Sequence, residues 1–237
     1  MHKYIIEGGF PISGTVKASG NKNAALPCIA ATLLTDEPVI LKNVPDIEDV
    51  EVMFQVLSRL GATVQPGDQP GVYRVHCSNI RSSEIPLDLS KKVRASILFA
   101  GPMVARTGKI ILPPPGGDVI GRRRLDTHFL ALEALGARVD IDGVFSITSN
   151  KLVGVDLFLD EASVTATENA IMAAVLAEGK TVIENAASEP HIQDLCLMLN
   201  SMGADIRGIG SNILTIQGVK KLVEKMRKSI LNLRNLG

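Results

Sequence analysis

No tryptophan occurs in these 237 residues, aromatics make up only 3% of them, and the formal net charge is +0. Few stacking rings and no excess of either sign argue against a nucleic-acid surface or attraction to an anionic membrane. No apolar run approaches membrane-spanning length. The opening MHKYIIEGGFPISG has only a short apolar patch before Glu7 and does not read as a signal peptide. The three cysteines, Cys28, Cys77 and Cys196, are odd in number, far apart and form no C-x-x-C pair. A reducing, cytoplasmic setting with buried thiols is therefore expected. His2, His76, His128 and His191 lack metal-ligand spacing, so no metal is expected. No G-x-G-x-x-G leads a strand into a helix and no G-x-S-x-G is present, which leaves dinucleotide binding and a hydrolase elbow unsupported. Gly14 to Lys22 superficially resembles a phosphate-binding P-loop, but Lys22 does not directly follow Gly20 and is itself followed by Asn23. What is left, 46% hydrophobic and 21% charged, describes a globular chain with a sizeable core, in one large domain or two small ones.

The strongest organisational feature is an internal repeat. LSRLGATV from Leu57, LEALGARV from Leu132 and LNSMGADI from Leu199 share one pattern of helix end, glycine stop and strand start. Their glycines, Gly61, Gly136 and Gly203, stand roughly 70 residues apart. Upstream of each lies an Ala-rich helix running into a strand, and downstream a hairpin with Gly, Asp or Asn at its turn. Counting GTVKAS, IPLDLS and VDLFLD as leading strands, each unit reads β-α-β-α-β-β, over about 14–80, 84–150 and 153–218. Such long units suit packing around a shared centre better than a solenoid. AALPCIAATLL and AIMAAVLA are apolar around most of their circumference, as helices covered on all sides should be, whereas DVEVMFQVLSRLG is one-sided. The competing architecture is a doubly wound parallel sheet, against which three equivalent hairpins weigh. The tail after Gly218, VKKLVEKMRKSILNLRNLG, is basic, weakly amphipathic and without a repeat counterpart, and is expected to be a solvated helix.

Two features carry chemistry. The run Pro113-Pro114-Pro115-Gly116-Gly117-Asp118 reads as a stiff strand exit followed by a pliable loop bearing one carboxylate. Arg122, Arg123 and Arg124 follow, and then a helix with Leu125, Phe129, Leu132 and Leu135 at helical spacing. An acid beside guanidiniums suits a phosphorylated or carboxylated substrate; the alternative is a surface loop before a solvated helix start. The second feature is the start of each repeat's first helix. Lys22 and Asn23 follow the turn Ser19-Gly20-Asn21, Arg94 takes the equivalent place in the second unit, and Thr167, Glu168 and Asn169 in the third. A helix N-terminus with an added cation is a ready anion site, and the repeat should bring the three starts to one end. His128, in the first turns of its helix, reads as a hydrogen-bonding residue rather than a catalytic one.

The segments SGNKNAALPCIAATLL, KKVRASILFAGPMVAR, PGGDVIGRRRLDTH, LGARV and SVTATENAIMAAVLAEGKTVIENAASEPHI resemble the UDP-N-acetylglucosamine 1-carboxyvinyltransferase family over about Met1 to Leu222. The resemblance implies a mixed α/β (α+β) fold, an inside-out α/β barrel of three β-α-β-α-β-β units. It also implies transfer of enolpyruvyl from phosphoenolpyruvate to the 3-hydroxyl of the amino sugar, by addition and elimination, with no cofactor. By match to the family's motifs, Lys22, Arg94 and Arg123 would hold the phosphate and carboxylate of phosphoenolpyruvate, and Asn23 the sugar or the intermediate. Arg123, Arg124, Leu125, Asp126, Thr127 and His128, with Ser163, Val164 and Thr165, would lie along the UDP moiety.

Departures from the family pattern matter. Asp118 stands where most members carry a loop cysteine, the thiol that fosfomycin alkylates, so resistance to that antibiotic is expected. Arg124 and Thr165 replace the usual proline and glycine. The match implies three segments: residues 1–18 as a strand that completes a second domain, residues 19–222 as the catalytic-loop domain, and residues 223–237 as an atypical tail. That second domain is absent from the match, and a second chain is a candidate source of it. The sister family, 5-enolpyruvylshikimate-3-phosphate synthase, has Lys-Ser where Lys22-Asn23 stands. The remaining alternative is a non-catalytic half-domain that binds UDP-sugar or a partner.

Overall fold

The apolar stretches that begin each repeat become the centre of the molecule. The computed structural model describes residues 3–16, 18–117, 124–223 and 230–232. Helix α1 (Lys22–Ala31) is capped by Asn21, whose Oδ1 accepts from the Ala24 N–H at 3.0 Å, and every residue from Ala24 to Ala31 is buried. A 3-10 turn (Thr32–Leu34) leads to β1 (Pro38–Lys42), then α2 (Glu48–Leu60), β2 (Thr63–Pro66) and β3 (Tyr73–His76). The second unit runs α3 (Leu87–Ser90), a 3-10 turn (Arg94–Phe99), α4 (Ala100–Thr107), β4 (Lys109–Leu112), α5 (Asp126–Ala134), β5 (Arg138–Asp142) and β6 (Val144–Thr148). The third runs β7 (Asp156–Phe158), α6 (Val164–Ala174), β8 (Lys180–Glu184), α7 (Pro190–Ser201), β9 (Asp205–Arg207) and β10 (Ile213–Gln217), and β11 (Ile230–Asn232) follows.

The three units are wired alike. In each, the strand after the central helix pairs antiparallel with the last strand of the hairpin, giving the orders β11-β1-β3-β2, β4-β6-β5 and β7-β8-β10-β9. Among the described residues these are three separate sheets rather than one closed barrel. Helix α1 packs on α7 and α2, and α6 packs on α4 and α5, so the helices of different units meet inside while the sheets lie outside. The inside-out arrangement of α and β layers expected from the repeat is therefore present. The repeated glycine stop has a physical cause. Gly61 takes φ 112° and its N–H reaches the Leu57 and Ser58 carbonyls, closing α2 in the left-handed conformation that side chains disfavour. Gly136 and Gly203 repeat the geometry at φ 96° and 103°. Cys28, Cys77 and Cys196 are free and buried, as expected, with burial pushing the thiols of Cys77 and Cys196 up to about 11 and 12.

Three expectations need correction. The leading strand of β-α-β-α-β-β forms only in the third unit, where β7 runs parallel to β8. IPLDLS instead gives the short helix α3, with Pro86 at its cap, and the parallel pairing shrinks to a bridge between Glu84 and Ile111. The described residues of GTVKAS form no strand and are exposed, with Val16 93% accessible. The equivalent edge of β1 is occupied instead by β11, parallel, with Ile40 opposite Ile230. That pairing also corrects the tail, whose described residues past Val223 are strand and not helix.

Candidate functional site

The ends of the buried central helices define the site. Lys22 and Asn23 occupy the first turn of α1, Arg94 opens the 3-10 turn ahead of α4, and Ser163 caps α6 by accepting from the Ala166 N–H at 3.5 Å. All of them, with Val164 and Thr165, line one cavity of about 930 Å³. The cavity also takes in Lys92 and Arg124, with Glu48, Asp49 and Glu161 on the acidic side. Unpaired N–H groups at the starts of α1 and α6 add partial positive charge to that of the cations. A smaller cavity of about 530 Å³, along the outer face of α2 by Phe54 and Tyr73, contains none of the residues singled out from sequence.

Lys22 is not idle: its Nζ lies 2.5 Å from Asp49 Oδ2, in the first turn of α2. The root of the loop after β4 is stitched to the segment that ends in Arg94. Ser90 Oγ donates to the Pro113 carbonyl at 2.9 Å, the Gly116 N–H donates to the Ser90 carbonyl at 2.9 Å and the Gly117 N–H to that of Lys91 at 3.1 Å. Glycine is required there. A Cβ on Gly116 would sit 1.9 Å from the Lys91 carbonyl oxygen, and Gly117 takes φ +87° beside the Arg94 backbone. Asp118, Arg122 and Arg123 lie outside the described residues.

Beyond the loop the side chains are engaged with one another. Arg124 Nε and Nη2 donate to both carboxylate oxygens of Asp126, and Nη2 also reaches Asp160 Oδ2 at 2.7 Å. The guanidinium is held above its usual pKa by its hydrogen bonds to Asp126 and Asp160, and Asp126 below its own by the bond from Arg124. Thr127 Oγ1 donates to Asp160 Oδ1 at 2.9 Å. Leu125 packs on the core, and Thr127 and His128 are buried behind the cavity wall. His128 Nε2 lies 3.1 Å from Thr165 Oγ1, and its Nδ1 lies 2.9 Å from Asn169 Nδ2. Burial first, and then the nearby Arg94 charge, lower the imidazole to about 4, so it is neutral. The hydrogen-bonding role expected of His128 matches these contacts.

Of the expected helix starts, the third is displaced. α6 begins at Val164, so Thr167, Glu168 and Asn169 sit inside the core rather than at its mouth. Sequence reasoning missed Asp49, Asp160 and Asn169 as partners of site residues. An acidic first turn of α2 was the available signal for Asp49; the long-range contacts of Asp160 and Asn169 left none. Among the described residues no group of His, Cys, Asp or Glu is arranged to hold a metal ion, and no helix is long and apolar enough to cross a membrane.

Comparison with known proteins gives the arrangement its relatives. The UDP-N-acetylglucosamine 1-carboxyvinyltransferase of Treponema denticola is 68% identical over 222 residues, 94% of this chain and 52% of the relative. That of Treponema pallidum is 64% identical over the same shares. The chain thus spans about half the length of the curated relatives it matches. Among solved structures, the enolpyruvyl transferase NikO from Streptomyces tendae superposes with a TM-score of 0.81 at 22% identity, over 92% of this chain and 52% of that one. An EPSP synthase from Acinetobacter baumannii gives 0.70 at 20% identity, over 89% and 48%; both bear on the fold alone. The model of the family described as EPSP synthase (3-phosphoshikimate 1-carboxyvinyltransferase) matches residues 6–231, and to that family this chain belongs.

Proposed function

We propose that the chain is the loop-bearing half of a UDP-N-acetylglucosamine 1-carboxyvinyltransferase, acting in the cytoplasm at the first committed step of peptidoglycan synthesis and hence in cell shape and division. One observation carries the reading: the cations Lys22 and Arg94, distant in sequence, share a cavity with the mouths of helices α1 and α6. Such a donor-rich recess suits the phosphate and carboxylate of phosphoenolpyruvate. The treponemal relatives favour UDP-N-acetylglucosamine over a shikimate phosphate as the acceptor.

In this reading Lys22, Arg94 and Arg123 hold phosphoenolpyruvate, and its phosphate replaces Asp49 on Lys22. Asn23 meets the sugar, and the stretches Arg124–His128 and Ser163–Thr165 border the nucleotide. The sugar 3-hydroxyl, giving up its proton to a base on the opposite wall, adds to C2 of the enol phosphate while Asp118 delivers a proton to C3. Loss of a C3 proton then breaks the C2–O bond to phosphate, which leaves, and re-forms the C2–C3 double bond, now that of a vinyl ether to the sugar. An aspartate cannot be alkylated as a thiol is, so the protein resists fosfomycin; a covalent adduct on Asp118 by mass spectrometry would refute this. Residues 1–18 belong with the second domain, residues 19–222 form the loop-bearing one, and residues 223–237 are a tail. The opposite wall of the cleft comes from the half of the relatives that this chain does not span, or from a second chain.

The test is phosphate release from phosphoenolpyruvate and UDP-N-acetylglucosamine together, with binding of each followed by calorimetry. Lys22→Ala and Arg94→Ala are each expected to lower release by about 100-fold, as for loss of a charged contact in the transition state. Binding of the UDP-sugar without release would favour the half-site reading. Neither binding nor release by folded protein would sink the proposal.

A further inference from the structure

Behind the cavity wall, Asn169 makes three hydrogen bonds whose directions are all determined. Its Oδ1 accepts from the Gly101 backbone N–H at 2.7 Å, which fixes the orientation of the amide. Its Nδ2 donates to the Ile97 carbonyl at 3.0 Å and faces His128 Nδ1 at 2.9 Å. An amide nitrogen only donates, so His128 Nδ1 must accept and carries no proton. The neutral ring then has its proton on Nε2, which donates to Thr165 Oγ1 at 3.1 Å. The Thr165 oxygen is thereby used as an acceptor on its inner side. No other hydrogen bond of this hydroxyl occurs among the described residues, and Thr165 lines the cavity.

We infer that Asn169 is a positioning residue: through the Nε2–H tautomer of His128 it turns the Thr165 hydroxyl into a donor aimed at the cavity, there to meet an anionic oxygen of the ligand. The Arg94 guanidinium and the N–H groups of the first turn of α6 line the same cavity and also donate, with Glu161 on its acidic side. Converging with these donors, the Thr165 hydroxyl suits an accepting group, such as a phosphate oxygen. The same amide ties the 3-10 turn bearing Arg94 to α6, so one side chain sets both the Thr165 donor and the seat of the Arg94 turn.

The ligand's identity rests on the proposed function; the relay does not. Imidazole 15N–1H correlation spectra of the ligand-free protein near pH 7 should show His128 as the Nε2–H tautomer. A protonated Nδ1 would overturn the inference whatever the protein binds. Asn169→Asp replaces the donor by an acceptor and should move the His128 proton to Nδ1; an unchanged tautomer in folded variant would also overturn it. Calorimetry with UDP-N-acetylglucosamine reads the far end. Thr165→Val should weaken binding about tenfold, as for one hydrogen bond to a charged group, while Thr165→Ser keeps it. Equal affinity of the wild type and Thr165→Val would disprove the donor. A wild type that binds no UDP-sugar would sink the functional reading, and the tautomer spectra would still decide the relay.

Discussion

Glu168 is buried in the core at 1% exposure, and its Oε1 has no hydrogen-bond partner among the described residues. Burial, followed by the nearby Glu189 charge, raises its pKa well above the usual carboxylate range. An acid whose folded pKa exceeds its unfolded one takes up a proton on folding, so its share of stability is whole below about pH 4.5 and is lost as pH rises through the folded value. Glu168→Gln removes that loss. Its melting temperature should exceed the wild type's by a few degrees at pH 8 and by much less at pH 5, read by thermal denaturation. An equal gap at both values would show that Glu168 is ionised in place. His128 works in the opposite sense. Neutral when folded down to about pH 4, it withdraws stability as pH falls from about 6.5 to 4, by roughly 3 kcal/mol in all. Little of this was legible in the sequence. Lys22 and Arg94 could be paired because the repeat puts them at equivalent places. Nothing local distinguishes Glu168 or Asn169 from ordinary helix-start polar residues, since their roles depend on helices far away in the chain.

At the scale of elements, the loop root is the most constrained joint described. Three prolines leave β4, and two glycines then pass within contact of the Lys91–Arg94 backbone. Gly116→Ala would drive a methyl into the Lys91 carbonyl and shift the segment that seats Arg94. A loss of about 1–3 kcal/mol in stability, with weaker phosphate release, is the expected outcome. Unchanged melting would mean the root can relax. This joint was legible because proline and glycine announce backbone demands locally, and the glycine stops of α2 and its repeats were legible for the same reason. The leading strands were not. Alternation in GTVKAS and IPLDLS suits a strand, yet strand formation needs a free edge beside it. The edge of β1 is taken by β11, and Pro86 turns the second segment into α3.

Taken whole, the molecule hides its helices and shows its sheets, which puts a premium on covered edges. β11 lies along β1 from Ile40 to Lys42, so a chain shortened after Val223 should uncover that edge. Concentration-dependent association, seen by light scattering where the 237-residue chain shows none, is the expected result; identical masses would show that the edge is harmless. Meanwhile Tyr4, Ile5, Ile6 and Phe10 stand exposed, in an arm without strand partners among the described residues. The burial of α1 and α6 has a longer consequence. A helix packed on every side offers inheritance almost nothing to alter along its length, because each change there disturbs a neighbour. Only its mouth is open to revision. Relatives that came to favour a different acceptor would have done so by respelling a few letters at those mouths and in the loop, and Thr165 stands at one such mouth.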